Sequence, residues 1–163
     1  MQRRTLVVTL GIILLGAAWY LFRPELLFIN RPVNEAFPAR ATAQKDSHAP
    51  TPVVLLQGRF HGVAHEGRGV ATLHQLPDGK RVLRFTKFAT SNGPDLFVYM
   101  VAAADASDNA TVKRAGFISL GPLKGNVGDQ NYTVPRDLDL ATYRSVSIWC
   151  RRFGVNFATA PLA

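Results

Sequence analysis

The stretch VATLHQLPDGKRVLRFTKF, Val70 to Phe88, decides the fold class. Apolar and polar residues alternate on both sides of PDGK at 77–80, which is the pattern of two strands joined by a tight turn. The glycine of this turn supplies the positive φ that such a turn needs. Leu73 on the first strand, and Leu83 and Phe85 on the second, then face one core. The stretch therefore predicts a β-hairpin with one buried face.

Strand patterns continue along the rest of the chain. DLFVYMVAA, at 95–103, is apolar on both faces, as expected for a central strand of a sandwich. Further short strands are predicted over AGFISLG, QNYTV, SVSIWC and FGVNFA. DLDLATYRS, at 137–145, is the one stretch that favours a short helix, with Asp137 as its N-cap. The prediction is an all-β domain, a β-sandwich or flattened barrel of about eight to ten short strands.

The N-terminus predicts a membrane anchor. Residues 6–22 form a run of 17 residues without a charge, which as a helix would span about 26 Å of a bilayer. Arg3 and Arg4 before the run favour a cytoplasmic N-terminus and a translocated remainder. A cleaved signal peptide is the alternative, but the small residues at 16–18 are followed by four bulky ones, which is a poor cleavage site. We expect a single-pass membrane protein whose domain is extracytoplasmic, either periplasmic or on the cell surface.

The chain divides into three parts by composition. Residues 1–22 form the transmembrane anchor, residues 23–52 a proline-rich stalk, and residues 53–163 the β domain. Prolines at 24, 32, 38, 50 and 52 disfavour a long helix or a central strand in the stalk. The first part of the stalk, from Leu26 to Phe37, is unusually apolar, and it is expected to lie on the membrane or to dock on the domain.

The charge, the cysteine content and the absence of certain motifs argue against several classes of function for this protein. The net charge is +8 and the pI is about 10.3, yet no basic run is longer than two residues and no nucleic-acid-binding motif is present. We therefore expect no nucleic-acid partner; the charge suits an anionic lipid or envelope polymer better. The single cysteine cannot form an internal disulfide. Neither a nucleophile elbow nor a phosphate-binding P-loop is present, which argues against hydrolase and nucleotide chemistry.

Four motifs in order carry a family resemblance. They are GRFHGVAHEGRGVATL, FTKFATSNGPDLFVYM, ISLGPLKGNVGDQNYTVP and SVSIWCRRFGVNFATAPL. Together, over Gln57 to Leu162, they resemble the electron-transfer DM-thirteen domain family. The resemblance implies an extracytoplasmic β-rich domain with a proposed role in electron transfer or oxidative modification at the cell surface. It also implies that the redox residue is the cysteine of the IWC motif, which is Cys150 here.

The residues around Cys150 leave two interpretations open. Apolar residues fall on even numbers up to Cys150 and on odd numbers from Phe153 onward, so we predict a bulge or corner at 150–152. In the functional interpretation, Arg151 and Arg152 lower the pKa of the thiol and thereby favour the reactive thiolate. In the alternative, Cys150 is a small apolar residue that fills space in the core.

The cofactor is unknown from the sequence. Haem is possible, with Cys150, His61, His65 and His74 as the available axial ligands, although no C-x-x-C-H sequence is present for covalent attachment. His61 and His65 could share a metal ion only through a loop over 62–67; the alternative is that both are polar residues at a strand end. No metal site is predicted.

The leading hypothesis is therefore a membrane-tethered domain that acts in extracytoplasmic electron transfer or thiol redox chemistry. Cys150 is its candidate redox thiol, and Arg151 and Arg152 are the candidates for tuning that thiol. The alternative is a non-redox binding module that presents the glycine-rich loops at 91–95 and 120–132 to a partner. The expected partners are the membrane, through the N-terminal helix, and a redox partner protein or an envelope component.

Overall fold

The structure, a computed structural model, describes residues 2–22, 29–38 and 51–163. The described residues form ten strands and two helices. In chain order these are α1 (Gln2–Phe22), β1 (Pro32–Asn34), β2 (Val53–Arg59), β3 (His61–Gly62), β4 (Gly67–Gln75), β5 (Arg81–Thr90), β6 (Leu96–Val101), α2 (Asn109–Ala115), β7 (Phe117–Pro122), β8 (Val127–Val134), β9 (Ser145–Cys150) and β10 (Val155–Pro161). The predicted all-β fold class is confirmed.

The strands form two five-stranded sheets. Sheet A has the order β1-β8-β5-β4-β2 and sheet B the order β3-β10-β9-β6-β7. One apolar cluster joins them, to which sheet A contributes Leu73, Leu83 and Phe85 and sheet B contributes Met100 and Ile148, all with 0% exposure. The core therefore lies between two facing sheets, as in a β-sandwich.

The predicted hairpin is present between β4 and β5. Leu73 lies opposite Leu83, and the turn is closed by a 2.8 Å bond from the Leu76 N–H to the Lys80 carbonyl oxygen. Gly79 has a φ of 78°, a conformation that other residues adopt only with strain. The sequence predicted this hairpin correctly because its turn residues and its alternation agree.

The prediction of a central strand buried on both faces is also confirmed. β6 lies between β7 and β9. Met100 faces the core between the sheets, whereas Tyr99 and Val101 face outward and pack in a second cluster with Val112 of α2. The helix thus covers the outer face of sheet B.

The predicted helix at 137–145 is wrong, and the short helix lies at Asn109–Ala115 instead. The Asp139 side chain accepts a 2.9 Å bond from the Ala141 N–H and a second bond from the Thr142 hydroxyl. Such local side-chain bonds stabilise a turn in place of a helix. Helix α2 begins after Asp108, whose carboxylate accepts a 2.7 Å bond from the Thr111 N–H. Seven residues are too few to show helical periodicity in the sequence.

Residues 29–38, in the first part of the predicted stalk, dock on the domain. β1 pairs with β8 in parallel register, with Val33 opposite Gly128. The Glu35 carboxylate accepts bonds from the Lys124 ammonium group at 2.8 Å and from the Asn131 N–H at 2.7 Å. Of the two expectations for this apolar segment, docking describes residues 29–38; residues 23–28 and 39–50 lie outside the described part.

Helix α1 contains an 18-residue window, Arg4–Leu21, that is long and apolar enough to cross a membrane. None of this window is buried against the domain. An N-terminal signal sequence has the same length and composition, so the helix alone gives weak support for a membrane span and does not indicate a side.

Candidate functional site

Cys150 is the last residue of β9 and points into the core. Its neighbours across the sheet are Leu96 on β6 and Val155 on β10. The thiol belongs to the main apolar cluster, and its residue has 0% exposure. It is the one free cysteine in the described residues, and it is buried. In this closed arrangement no partner molecule can touch the sulfur.

The predicted bulge or corner at 150–152 is a four-residue turn over 151–154 that reverses the chain from β9 into β10. The Gly154 N–H donates a 2.9 Å bond to the Cys150 carbonyl oxygen, and Gly154 has a φ of 63°. The apolar residues before and after the turn belong to two antiparallel strands, which explains why their numbering changes from even to odd. Phe153, which the pattern placed with the buried residues, lies at this turn and is 54% exposed.

Arg151 holds the turn against the loop before β6. Its backbone N–H donates a 3.0 Å bond to the Asp95 carbonyl oxygen, and its guanidinium lies 3.2 Å from the Asp95 carboxylate. The guanidinium also sits over the Phe97 ring, 3.6 Å from the ring centroid, which is a cation–π contact. The Arg151 side chain is 52% exposed. These contacts keep the turn closed over the end of β9 on which Cys150 lies.

Arg152 is exposed and donates to the carbonyl oxygen of Leu21, in the last turn of α1. Both predicted tuning residues therefore have exposed side chains, whereas the thiol is enclosed in the core. The three residues are adjacent in sequence but occupy different environments. Whether Arg151 and Arg152 tune the thiol stays a prediction.

The three candidate histidine ligands lie in different surroundings. The His61 ring is exposed and lies 3.1 Å from the Asp105 carboxylate. The His65 ring packs on the Phe157 ring at 3.9 Å between centroids. His74 lies on sheet A against the ring of Phe37, at 4.7 Å. No group of three or more potential ligand residues that could hold a metal ion occurs within the described part of the chain.

Haem does not fit Cys150 in this structure. The sulfur has no accessible surface, so a macrocycle could reach it only if the close-packed core opened. His65 lines a cleft, but the neighbouring residues Glu66, Arg68 and Thr90 make that cleft polar, whereas haem requires an apolar pocket.

The glycine-rich loops border an open polar cleft of about 810 Å³. It is lined mainly by 62–68 and 89–92, together with Asn30. It lies at the end of the sandwich where β4 begins and β5 ends. Within the loop at 91–95, the Asn92 side chain closes a turn, since its carboxamide oxygen accepts a 2.9 Å bond from the Gly93 N–H.

A set of aromatic residues on the outer face of sheet B was not predicted from the sequence. Tyr99 stacks on Phe117, with 4.1 Å between ring centroids and 6° between ring planes, and Trp149 lies 6.4 Å from Tyr99. Burial raises the pKa of the Tyr99 hydroxyl; the Asp95 charge raises it further and the Arg151 charge opposes this. The signal was present in the sequence, because Phe97, Tyr99 and Trp149 all fall on the face opposite Cys150 in their strands.

Comparison with known proteins identifies one family. The model of the family described as Electron transfer DM13 matches residues 59–162, which is more than half of the chain. The match begins at the end of β2 and ends one residue after β10, so it spans most of both sheets. No curated protein and no solved structure matches the chain.

Proposed function

The chain belongs to the electron transfer DM13 family, and from this premise we propose that it is a membrane-tethered, extracytoplasmic redox domain whose redox residue is Cys150. The family membership supports a general electron-transfer role. The tether, the compartment and the residue are the proposed parts. The observation that carries the residue assignment is that the single cysteine of the chain ends a buried strand beside a turn that one arginine, Arg151, holds at the protein surface.

The proposed chemistry is thiol–disulfide exchange with a partner. A thiolate at Cys150 attacks one sulfur of a partner disulfide; a new S–S bond forms, the partner's S–S bond breaks, and the partner's second sulfur leaves as a thiolate. An external thiol then resolves the mixed disulfide, because the chain has no second cysteine to do so. This external thiol attacks the Cys150 sulfur, so that the partner's first sulfur leaves as a thiolate, and a second external thiol then attacks the new disulfide and releases the Cys150 thiolate. Over the complete cycle, two electrons pass to the partner disulfide from the two external thiols, which are themselves joined as a disulfide.

This reaction requires the turn at 151–154 to open, because the closed core excludes a second sulfur. Local opening of this kind is common where few contacts hold a segment. Once the turn is open, the guanidinium groups of Arg151 and Arg152 lie beside the thiol in sequence and favour its thiolate. The same two arginines thus have the proposed tuning role, and Arg151 also keeps the turn closed.

The proposal is tested by the rate at which the Cys150 thiol reacts. Asp95→Asn removes the charge partner of Arg151 while it keeps the arginine. We expect the rate of modification of the folded full chain by a maleimide, and by oxidised glutathione, to rise about threefold, which is the effect of losing one exposed ion pair. The matched control is Asp78→Asn, which removes the partner of Lys80 from the β4–β5 turn, 2.7 Å away, and should leave the rate unchanged.

A second variant separates chemistry from folding. Cys150→Ser should keep the β-rich circular dichroism spectrum and lose all reaction with oxidised glutathione. If the thiol of the unsubstituted chain reacts only when the whole domain unfolds, and Asp95→Asn behaves like Asp78→Asn, Cys150 is a core residue and the redox assignment fails.

The tether and the compartment have their own test. The α1 window, Arg4–Leu21, supports a single membrane span, with Arg3 and Arg4 on the cytoplasmic side. We expect the full chain to stay in the membrane fraction after alkaline carbonate washing. An added protease should reach the β domain from the extracytoplasmic side alone. Release by carbonate would refute the tether.

A non-redox binding module is the second candidate function, and the polar cleft of about 810 Å³ favours it. Polar loops with a cleft of this size suit a small polar ligand or a segment of an envelope polymer. The two candidates differ in their dependence on Cys150. A binding function would survive Cys150→Ser and be lost on changing Arg68, which lines the cleft, whereas a redox function would show the opposite pattern.

A further inference from the structure

The connection between helix α1 and the β domain is short. α1 ends at Phe22, and Ile29 already contacts the domain, since its carbonyl oxygen accepts a 2.8 Å bond from the Asn92 side chain. Two residues later, the Arg31 N–H donates a 2.7 Å bond to the side chain of Asn126. Residues 23–28 are therefore the whole connection, which can span at most about 25 Å. The domain cannot stand far from the membrane that α1 spans.

The turn at 151–154 lies at the end of the sandwich on which Ile29 and Arg31 dock. We name this the anchor-side end and define it by Ile29–Arg31, Asn92, Asn126 and the turn at 151–154. The loop of Asn92 leads into β6, whose first residue, Leu96, pairs with Cys150 just before the turn. Arg152 in the turn donates to the carbonyl oxygen of Leu21, close to the end of α1. The turn therefore lies on the side of the domain from which the anchor leaves.

The anchor-side end has two exposed apolar side chains, each close in sequence to an arginine. Phe153 and Ile29 are each 54% exposed. Arg152 precedes Phe153 directly, and Arg31 follows Ile29 by two residues. Neither arginine takes part in an ion pair within the described residues, whose pairs all involve other cations. Exposed aromatic and arginine side chains in this arrangement suit the headgroup region of a bilayer.

We propose that the anchor-side end rests on the membrane surface, with Phe153 among the lipid headgroups and Arg31 and Arg152 bound to anionic lipid phosphates. The occupant of this surface is the bilayer into which α1 inserts, and the proposal rests on the tether proposed above. The net charge of +8 is consistent with an anionic surface. Because the turn beside Cys150 faces the bilayer, the redox partner of this domain would be held at that bilayer.

The test compares two exposed phenylalanines in the full chain. Phe153 lies at the anchor-side end, and Phe117, which is 45% exposed, begins β7 at the opposite end. Phe153→Cys and Phe117→Cys are each labelled with a fluorescent maleimide in vesicles of phosphatidylcholine and phosphatidylglycerol, and any label taken up by the unsubstituted chain is subtracted. We expect aqueous iodide to quench the label at position 153 about threefold less than the label at 117. A headgroup-attached quencher should quench the label at position 153 alone.

A second pair of variants tests how much the Arg152 charge contributes to contact with anionic lipid. Arg152→Gln, added to Phe153→Cys, should increase iodide quenching in anionic vesicles and have no effect in vesicles of phosphatidylcholine alone. The matched control is Arg136→Gln, an exposed arginine whose guanidinium donates to the Asp78 carbonyl oxygen in the β4–β5 turn, away from this end. It should leave iodide quenching unchanged in both kinds of vesicle.

The outcomes distinguish this inference from the tether. If the protein resists carbonate washing while iodide quenches both labels equally, the tether stands and the membrane-facing end is refuted. If carbonate releases the protein, the tether fails and the inference fails with it.

Discussion

At the scale of single residues, Cys150 and Arg151 show how two adjacent side chains come to have different solvent exposure. The backbone alternation of β9 directs Cys150 into the core, where it has 0% exposure. The next residue begins a turn, and its side chain bonds to Asp95 in solvent. The proposed reactivity of the thiol therefore depends on the motion of the turn more than on the identity of its neighbours.

His74 is the residue with the clearest pH dependence. Burial lowers the pKa of its imidazole below the usual value of 6.5, and the Arg84 charge lowers it further. Its Nδ1 atom is buried without a partner among the described residues. A protonated ring would thus be unfavourable in the folded state, where it packs against Phe37.

We predict that the protein loses stability as the pH falls through 6.5 towards the lowered pKa of His74. In this window the unfolded chain binds the proton more readily than the folded chain, so stability rises with pH and is complete above 6.5. Urea unfolding at about pH 5.5 and about pH 7.5 measures the difference. His74→Gln, which cannot titrate, should show a smaller difference between the two values; an unchanged difference would contradict the assignment.

At the scale of elements, β1 binds the domain because its backbone lies very close to the backbone of β8. β1 pairs with β8 beside Gly128, whose φ is 107°. A Cβ atom at this position would lie 2.0 Å from the Val33 carbonyl oxygen. The Glu35 N–H also donates a 2.8 Å bond to the Asp129 carbonyl oxygen. A glycine at 128 is therefore required for β1 to bind at this edge of sheet A.

We predict that Gly128→Ala displaces β1. Gly121→Ala is the matched control, because Gly121 has a φ of 111° but has no atom within 4 Å of its Cβ position. Both substitutions introduce similar backbone strain, of about 1 to 2 kcal/mol, and only the first meets another strand. Hydrogen exchange of the Glu35 amide should become fast in Gly128→Ala and stay slow in Gly121→Ala. Equal exchange in the two variants would contradict the proposed role.

At the scale of the whole molecule, the folded unit extends beyond the segment that the family shares. The family model begins at residue 59, whereas β1 lies at 32–34 and closes one edge of sheet A. Glu35 links this segment to Lys124, and Phe37 covers His74. The predicted domain start at residue 53 stays a prediction.

We predict that residues 29–38 stabilise the whole domain. A chain that begins at residue 29 should unfold at a higher temperature than one that begins at 51, with a difference in the free energy of unfolding of about 2 to 4 kcal/mol, because truncation removes a backbone ladder and an ion-pair network at once. The full chain in detergent is the control and should match the longer fragment. Equal melting temperatures for the two fragments would place the domain start at residue 53.

Much of the fold was predictable, and the reasons are local. The hairpin at 70–88 and the buried strand β6 follow from alternation and turn chemistry, which act over a few residues. The helix at 137–145 was predicted wrongly because Asp139 bonds to its own turn, and α2 was too short to be recognised. The position of Cys150 on an inward face was predictable, whereas the contacts of Arg151 were not, because Asp95 and Phe97 lie more than fifty residues away along the chain.

The sequence by itself determined the β-rich class, the apolar N-terminal helix, the family and the inward direction of Cys150, since each depends on short-range pattern or on motifs in order. Only the tertiary structure decided that the change in numbering after Cys150 marks a hairpin, that Arg151 pairs with Asp95, and that residues 29–38 dock beside β8. These features depend on contacts between distant segments. Such contacts are set by how the two sheets pack, a property that no single stretch of the chain contains.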